Sequence, residues 1–243
     1  MIGILTRIRA VIGAILGLLT TAFWCAAVVT AGTLGAKRSL SWMARQWGRG
    51  LLFIFGIRID VRGAENLPAK GGGIAVFNHQ SHFDIPLIFA ATDRQIRFGA
   101  KIELFKIPIF GPGMRAVGTL PIARDNRSEV MRIYKDAERA FQEDIIYVLA
   151  PEGTRQKEPV IGRFKKGPFV FARNAGVPIV PVVIKGGYDV LPKSTVFVNV
   201  GEWHRTVKIE VLPSIPTAGL TPDQIEALLE KTRAQMVEAF ARM

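Results

Sequence analysis

Apolar and polar positions along the chain fall into three regimes. Between Arg9 and Lys37 no side chain is charged, and this stretch (AVIGAILGLLTTAFWCAAVVTAGTLGA) exceeds the roughly 20 residues that span a bilayer core. Its threonines lower the hydropathy, but their hydroxyls can bond back to a helix backbone. The pattern predicts an uncleaved membrane helix. A signal peptide is the rival reading, with Arg7 and Arg9 as a basic start and small residues near the end, although such peptides have apolar cores of only about 7–15 residues. The second regime, residues 37–59, places Trp42, Met43, Trp47, Leu51 and Phe55 on one side of a helix and Arg38, Arg45 and Arg49 largely elsewhere. That arrangement suits a helix lying in the headgroup region or packed on a globular domain. In the third regime short β-rich runs alternate with helical ones. Strands are expected at 57–63, 73–77, 96–100, 119–123, 145–149, 178–184, 196–200 and 206–212, and helices at 84–92, 101–117, 128–142, 166–176 and 222–241. Several strands are continuously apolar, as when both faces of a sheet are covered. The fold class is therefore α/β, a central sheet flanked by helices, with membrane-associated helices at 1–56 and the globular domain at 57–243.

Charge adds a partner class. Thirty-two basic residues against 20 acidic give +12, with a pI near 10.3, and the mean hydropathy of +0.25 accompanies 49% apolar residues. This surplus favours an anionic partner: acidic membrane lipids, phosphorylated substrates or nucleic acid. The apolar N-terminal run and the lack of an aromatic-studded RNA motif count against nucleic acid. Lys37, Arg38, Arg45 and Arg49 outnumber Arg7 and Arg9, so the positive-inside rule keeps the C-terminal domain cytoplasmic, at an inner (cytoplasmic) membrane. A full span and a hairpin in one leaflet both fit. Cys25 is the single cysteine, which excludes an intrachain disulfide, and it lies inside the apolar run.

Candidate chemistry concentrates after the run at 73–77, in Phe77-Asn78-His79-Gln80-Ser81-His82-Phe83-Asp84. His79, His82 and Asp84 could ligate a metal, but the spacing is not that of a helical zinc motif and only His204 could supply a further imidazole. A Ser81 nucleophile lacks the glycine-flanked elbow that would expose it. A turn capping the next helix is a third reading, because Asp84 stands before Ile85-Pro86. In the fourth, Asp84 fixes the tautomer of His79, whose other ring nitrogen takes a proton from an alcohol. Chemistry alone puts this last reading first and leaves the others open. Further on, Ala150-Pro151-Glu152-Gly153-Thr154-Arg155-Gln156 follows another strand; its glycine permits a tight turn, and Arg155 could hold a phosphate or pair with Glu152 on the surface. A glycine-rich bend at 111–124 carries Arg115 and Arg124. The stretch 163–184 joins a basic approach to an amphipathic helix and a buried strand.

Together these stretches resemble the glycerolipid acyltransferase family, most closely the 1-acylglycerol-3-phosphate acyltransferases. Four motifs stand in order: Asn78 to Asp84, Lys101 through Gly118 to Arg124, Pro151 to Arg155, and Val177 to Val182. Ala150 stands where the family usually has phenylalanine, and Gln156 where serine is common. The resemblance implies transfer of a fatty acyl group from acyl-CoA or acyl carrier protein to the sn-2 hydroxyl of lysophosphatidic acid, without a cofactor or metal. It further implies His79 as base, Asp84 as its orienter, and Arg155, Lys101 and Arg124 at the acceptor phosphate, with Glu152, Gly153 and Thr154 shaping that pocket. Another acceptor (glycerol-3-phosphate, a lyso-aminolipid or a glycolipid) and a non-catalytic basic membrane-binding protein are the alternatives.

Overall fold

The β-rich runs assemble into one sheet in a computed structural model that describes residues 2–36, 39–123, 125–195, 198 and 205–243. Its strands are β1 (Ile57–Arg62), β2 (Gly73–Phe77), β3 (Ile96–Lys101), β4 (Leu120–Ile122), β5 (Ile146–Leu149), β6 (Ile179–Lys185) and β7 (Arg205–Val211), in the spatial order β1-β7-β6-β2-β5-β3-β4. Only the β6–β7 pair is antiparallel among the described strands. The strand expected at 196–200 lies outside the described residues, except for Val198, which is in no strand.

The continuous apolar runs are the central strands. β2 and β5 are buried throughout, and β6 is buried up to Lys185. Because strand side chains alternate between faces, Ala75, Phe77, Val148, Val180 and Val182 enter one core, while Ile74, Val76, Tyr147 and Val183 enter another. The first core is closed by α2 (Leu40–Ile54) and α3 (Asp84–Ala91). The second is closed by α5 (Arg127–Ala137), α6 (Gly167–Ala175) and α8 (Ile225–Arg242). A capping box formed by Thr221 and Gln224 stands ahead of α8.

The helix expected at 101–117 does not form as one piece. β3 runs on to Lys101, a 3₁₀ segment covers Ile102–Lys106, and α4 (Phe110–Ala116) begins only after Pro108. Proline disfavours a helical residue before it, and Ile107 is extended; Ile109 then takes a positive φ of 66°. The helix expected at 128–142 likewise tightens into a 3₁₀ segment after Ala137.

The N-terminal helix α1 (Ile2–Thr33) has 32 residues and a most-apolar window of mean hydropathy 2.1, of which 17% is buried. Thr21 bonds back to the Gly17 carbonyl at 2.8 Å and accepts the Trp47 indole N–H at 3.0 Å. α1 thereby docks on α2, and glycines set how closely: a Cβ on Gly13 would stand 2.8 Å from the Phe55 ring. α2 crosses α3 on Gly48, where a Cβ would meet the Pro86 carbonyl oxygen at 2.6 Å. The predicted apolar side of α2 is therefore divided: Leu51 and Phe55 are buried, Trp47 packs on Phe89, and Trp42 is exposed. α7 (Gly187–Val190) follows β6 in the loop beside the site.

Candidate active site

Parallel strands gather their carboxyl ends on one edge of a sheet, and the chain leaving them forms a crevice there. Register makes this concrete. Val76 of β2 pairs with Leu149 of β5, so His79 and Glu152, each three residues further on, emerge side by side. The His79 N–H donates to Glu152 Oε1 at 3.3 Å, and the Gln156 N–H to the His79 carbonyl at 2.8 Å. From β6, the Ile184 N–H donates to Asn78 Oδ1 and its carbonyl accepts from Asn78 Nδ2, both at 2.8 Å. Asn78 thus ties the exit of β2 to the neighbouring strand.

Asp84 is fully buried at the start of α3, and its Oδ2 collects three donors: the His79 ring Nδ1 at 2.8 Å, the Gln80 N–H at 2.8 Å and the Ser81 N–H at 2.9 Å. These bonds run backward into the turn, not forward into the helix, so Asp84 is not an N-cap by side chain; Phe83 is the cap position. Oδ1 sits against Gly187, where a Cβ would come within 2.7 Å. With a carboxylate at Nδ1, that nitrogen carries the ring proton, and Nε2 is left as the acceptor. The His79 side chain keeps 13% exposure, enough for contact with a substrate. Ser81 is buried, donates to the Leu191 carbonyl at 3.1 Å and accepts the Phe83 N–H at 3.1 Å, a structural role.

Gly153, at φ 74°, turns the chain so that Glu152 points inward. The surface ion pair of Glu152 with Arg155 is not formed: Glu152 is 5% exposed, and its Oε2 has no hydrogen bond. Burial pushes its carboxyl up to about 7, against the opposing effect of the His79 N–H and the nearby Gln156 and Gly162 donors. Arg155 is half-buried, burial lowering its affinity for the proton and Asp84 opposing this; its Nη1 is buried without a hydrogen bond. A guanidinium nitrogen left so is suited to a phosphate oxygen. Lys193, which sequence reasoning missed, donates to Thr154 Oγ1 at 3.1 Å and to the Arg155 carbonyl at 2.8 Å, bracing this turn. No local pattern marks a lone lysine on a distant loop.

His82 is open to solvent at its edge, but the protein packed around its ring, then the charges of Arg155 and His79, bring its pKa down to about 4. It is neutral at physiological pH. Together with Val28, Trp47, Phe89, Phe98 and Met114 it lines an apolar cavity of about 400 Å³ between α1, α2, α3 and α4. Lys101 stands exposed at the end of β3, 3.3 Å from Glu103. Arg124 and His204 lie outside the described residues. The structure thus brings together His79, Asp84, Glu152, Gly153, Thr154 and Arg155, while Lys101 has its own carboxylate partner.

The chain is similar to known proteins in both sequence and fold. A family model described as Acyltransferase matches residues 58–185. Human 1-acyl-sn-glycerol-3-phosphate acyltransferase alpha is 31% identical over 189 residues, covering 77% of this chain and 65% of that protein. The human beta form is 32% identical over 194 residues (79% and 68%), and the chloroplastic BAT2 of Brassica napus is 34% identical over 152 residues (62% and 43%). The chain spans less than two thirds of the length of the alpha and chloroplastic relatives. The crystal structure of the 1-acyl-sn-glycerophosphate (LPA) acyltransferase PlsC of Thermotoga maritima superposes with a TM-score of 0.83 over 100% of this chain and 99% of that one, at 24% identity, and so shares the fold.

Proposed function

Because this chain belongs to the Acyltransferase family, we propose that it transfers a fatty acyl group from an acyl thioester, acyl-CoA or acyl carrier protein, to the sn-2 hydroxyl of 1-acyl-sn-glycerol-3-phosphate, giving phosphatidic acid. The observation that carries the reading is the His79–Asp84 pair, with Nε2 free, set between a half-buried Arg155 and an apolar cavity. In the proposed step the 2-hydroxyl oxygen attacks the thioester carbonyl carbon as Nε2 takes its proton. Asp84 stabilises the imidazolium, and collapse of the tetrahedral adduct breaks the carbon–sulfur bond. The imidazolium then returns the proton to the departing thiolate, which leaves as a thiol. Arg155 receives the acceptor phosphate on the turn braced by Lys193, and Gly153 and Thr154 shape that turn. Lys101 and Arg124 supply further positive charge toward the acceptor, and the acyl chain occupies the cavity beside His82. Glu152 holds the His79 backbone in place.

The same reading places the protein at an inner membrane with its catalytic domain on the cytoplasmic side. Ile4, Leu5, Ile8, Val11, Ile12, Ile15, Leu18, Leu19 and Phe23 are all exposed along α1, which supports burial of that face in acidic lipid. A labelled acyl-CoA and an acylated carrier protein, offered with a panel of acceptors in anionic vesicles, test the reaction. Labelled phosphatidic acid from lysophosphatidate is the expected product. Label appearing only on glycerol-3-phosphate, a lyso-aminolipid or a glycolipid would reassign the acceptor, and no transfer at all would leave a membrane-binding protein.

A further inference from the structure

The Pro151–Glu152–Gly153 turn has two sides. Glu152 faces His79, whereas its chain neighbours Pro151 and Gly153 line a second cavity, of about 470 Å³, on the side of the sheet covered by α5 and α6. Consecutive Cα atoms are about 3.8 Å apart, so this cavity begins one residue along the chain from Glu152, which holds the His79 backbone. Its walls include Ile122, Met131, Leu149 and Phe164.

Three polar features interrupt that apolar lining. The Lys165 side chain lies across Gly153, its Nζ 3.1 Å from where a Cβ would stand, and the Lys165 N–H donates to the Pro151 carbonyl at 2.8 Å. The Lys165 backbone is therefore fixed at the turn, and its side chain extends over Gly153. Lys166 follows, 2.6 Å from Glu226, and immediately precedes α6, whose first turn has no side-chain cap. The dipole of this nine-residue helix adds positive potential at this edge, although Pro168 in its first turn offers no N–H. Tyr134 is the third feature. It is 4% exposed and stacked on Phe171 at 4.3 Å, with its hydroxyl 3.9 Å from a Cβ position on Gly167, which also lines the cavity. That hydroxyl belongs to a residue of the cavity wall and is not among the buried polar atoms left without a partner. A phenol hydroxyl at a cavity wall can donate to an acceptor on a ligand.

Arg155 feels the charge of Asp84 and acts on His82, which places it on the reacting side of the turn. Lys165 is on the other side. Two cations thus flank one turn, and the proposed reaction brings two phosphate-bearing molecules to it. The acceptor carries a phosphomonoester; the thiol arm of the donor, a slender chain of amides and methyl groups, ends in a phosphate ester.

We propose that the second cavity holds the phosphopantetheine arm of the acyl donor. The arm lies along Ile122, Met131, Leu149 and Phe164, an amide carbonyl accepts the Tyr134 hydroxyl, and the phosphate meets Lys165 and the start of α6. The proposal rests on the acyl-transfer reading and adds which surface takes the donor. Coenzyme A and acyl carrier protein present the same arm, so one site serves both.

The test is two-substrate kinetics with the full chain in vesicles, for Lys165→Met, Met131→Trp and Tyr134→Phe, combined with calorimetric binding of coenzyme A. Unchanged thermal unfolding identifies the folded variants, and Tyr134→Phe keeps the packing. Lys165→Met is expected to raise the donor KM about tenfold, the loss of one charge-assisted contact, Met131→Trp by at least as much because its larger side chain fills the cavity, and Tyr134→Phe by a few-fold for one lost hydrogen bond, all with the acceptor KM unchanged. Coenzyme A binding weakens in parallel, and acylated carrier protein shows the same rise. A rise in the acceptor KM instead, or a rise with acyl-CoA but not with carrier protein, would overturn the assignment. If the wild type makes phosphatidic acid while every folded variant keeps the wild-type donor KM, the cavity assignment fails and the reaction stands. If the wild type makes none, yet Lys165→Met weakens coenzyme A binding, the reaction fails and the cavity assignment stands.

Discussion

In the proposed step His79 owes its role as base to what surrounds Asp84, not to its own position in a motif. One carboxylate oxygen, buried and holding two backbone N–H groups as well as the imidazole, fixes both the ring orientation and its tautomer. Asp84→Asn is expected to lower kcat by about 10²–10⁴-fold with little change in either KM, because an amide in this place can present its N–H to Nδ1 and select the wrong tautomer. Steady-state kinetics of the variant check this, and a change confined to KM would contradict it. Glu152 adds a pH dependence. Its folded pKa of about 7 lies above the ordinary glutamate value, so the folded state binds the extra proton. The stability it contributes is present at low pH and is lost as pH rises through 7, in total about 3 kcal/mol. Glu152→Gln is expected to remove this loss, so that urea unfolding of the variant, compared with the wild type, gains about that much between pH 5 and pH 8. Parallel pH profiles for the two proteins would refute it. The motif residues were readable along the chain, but their partners were not. Ile184 and Leu191 lie more than a hundred residues from Asn78 and Ser81, and only β-strand register and loop packing bring them within 3.1 Å. For the same reason the residues of the turn alone leave open a surface ion pair of Glu152 with Arg155, and the fold buries Glu152 instead.

At the scale of elements, periodicity carried most of the information. Continuous apolar runs marked the buried parallel strands, and the proline-led capping box marked α8, because each signal arises from neighbours in sequence. The stretch 101–117 shows where such signals end. Its composition suits a helix, yet Pro108 and the crowding at Gly111, where a Cβ would stand 2.2 Å from the Phe105 carbonyl oxygen, divide it into a strand end, a 3₁₀ segment and a short helix. Helix crossings are equally silent in sequence. Gly48 reads as an unremarkable helix interruption, but it is the point where α2 touches the backbone of α3. Gly48→Val is therefore expected to destabilise the fold by about 1–3 kcal/mol through overpacking, measured as a lower urea midpoint with an unchanged slope. An unaltered midpoint would mean that the two helices separate without cost. Asn78→Ala, which strips a buried N–H and carbonyl of their partner, is expected to cost about 2–3 kcal/mol in the same assay.

At the scale of the whole molecule, a net charge of +12 and an exposed apolar face on α1 both suit the negatively charged bilayer of the proposed function. Salt should weaken vesicle binding without abolishing it, since screening acts on the lysines and arginines and not on the apolar face. Co-sedimentation with anionic vesicles across ionic strength checks this, and complete release at high salt would leave charge as the only attachment. In the proposed function the membrane, the apolar cavity beside His82 and the braced Pro151–Arg155 turn together present a lipid hydroxyl and a thioester to one imidazole. The most direct measurement is therefore single-turnover transfer of labelled acyl from acyl-CoA to lysophosphatidate by His79→Ala in anionic vesicles, beside the wild type. A rate lowered by at least about 10²-fold, with lysophosphatidate binding and membrane attachment retained, is the predicted result. Phosphatidic acid formed by His79→Ala at the wild-type rate would contradict the account.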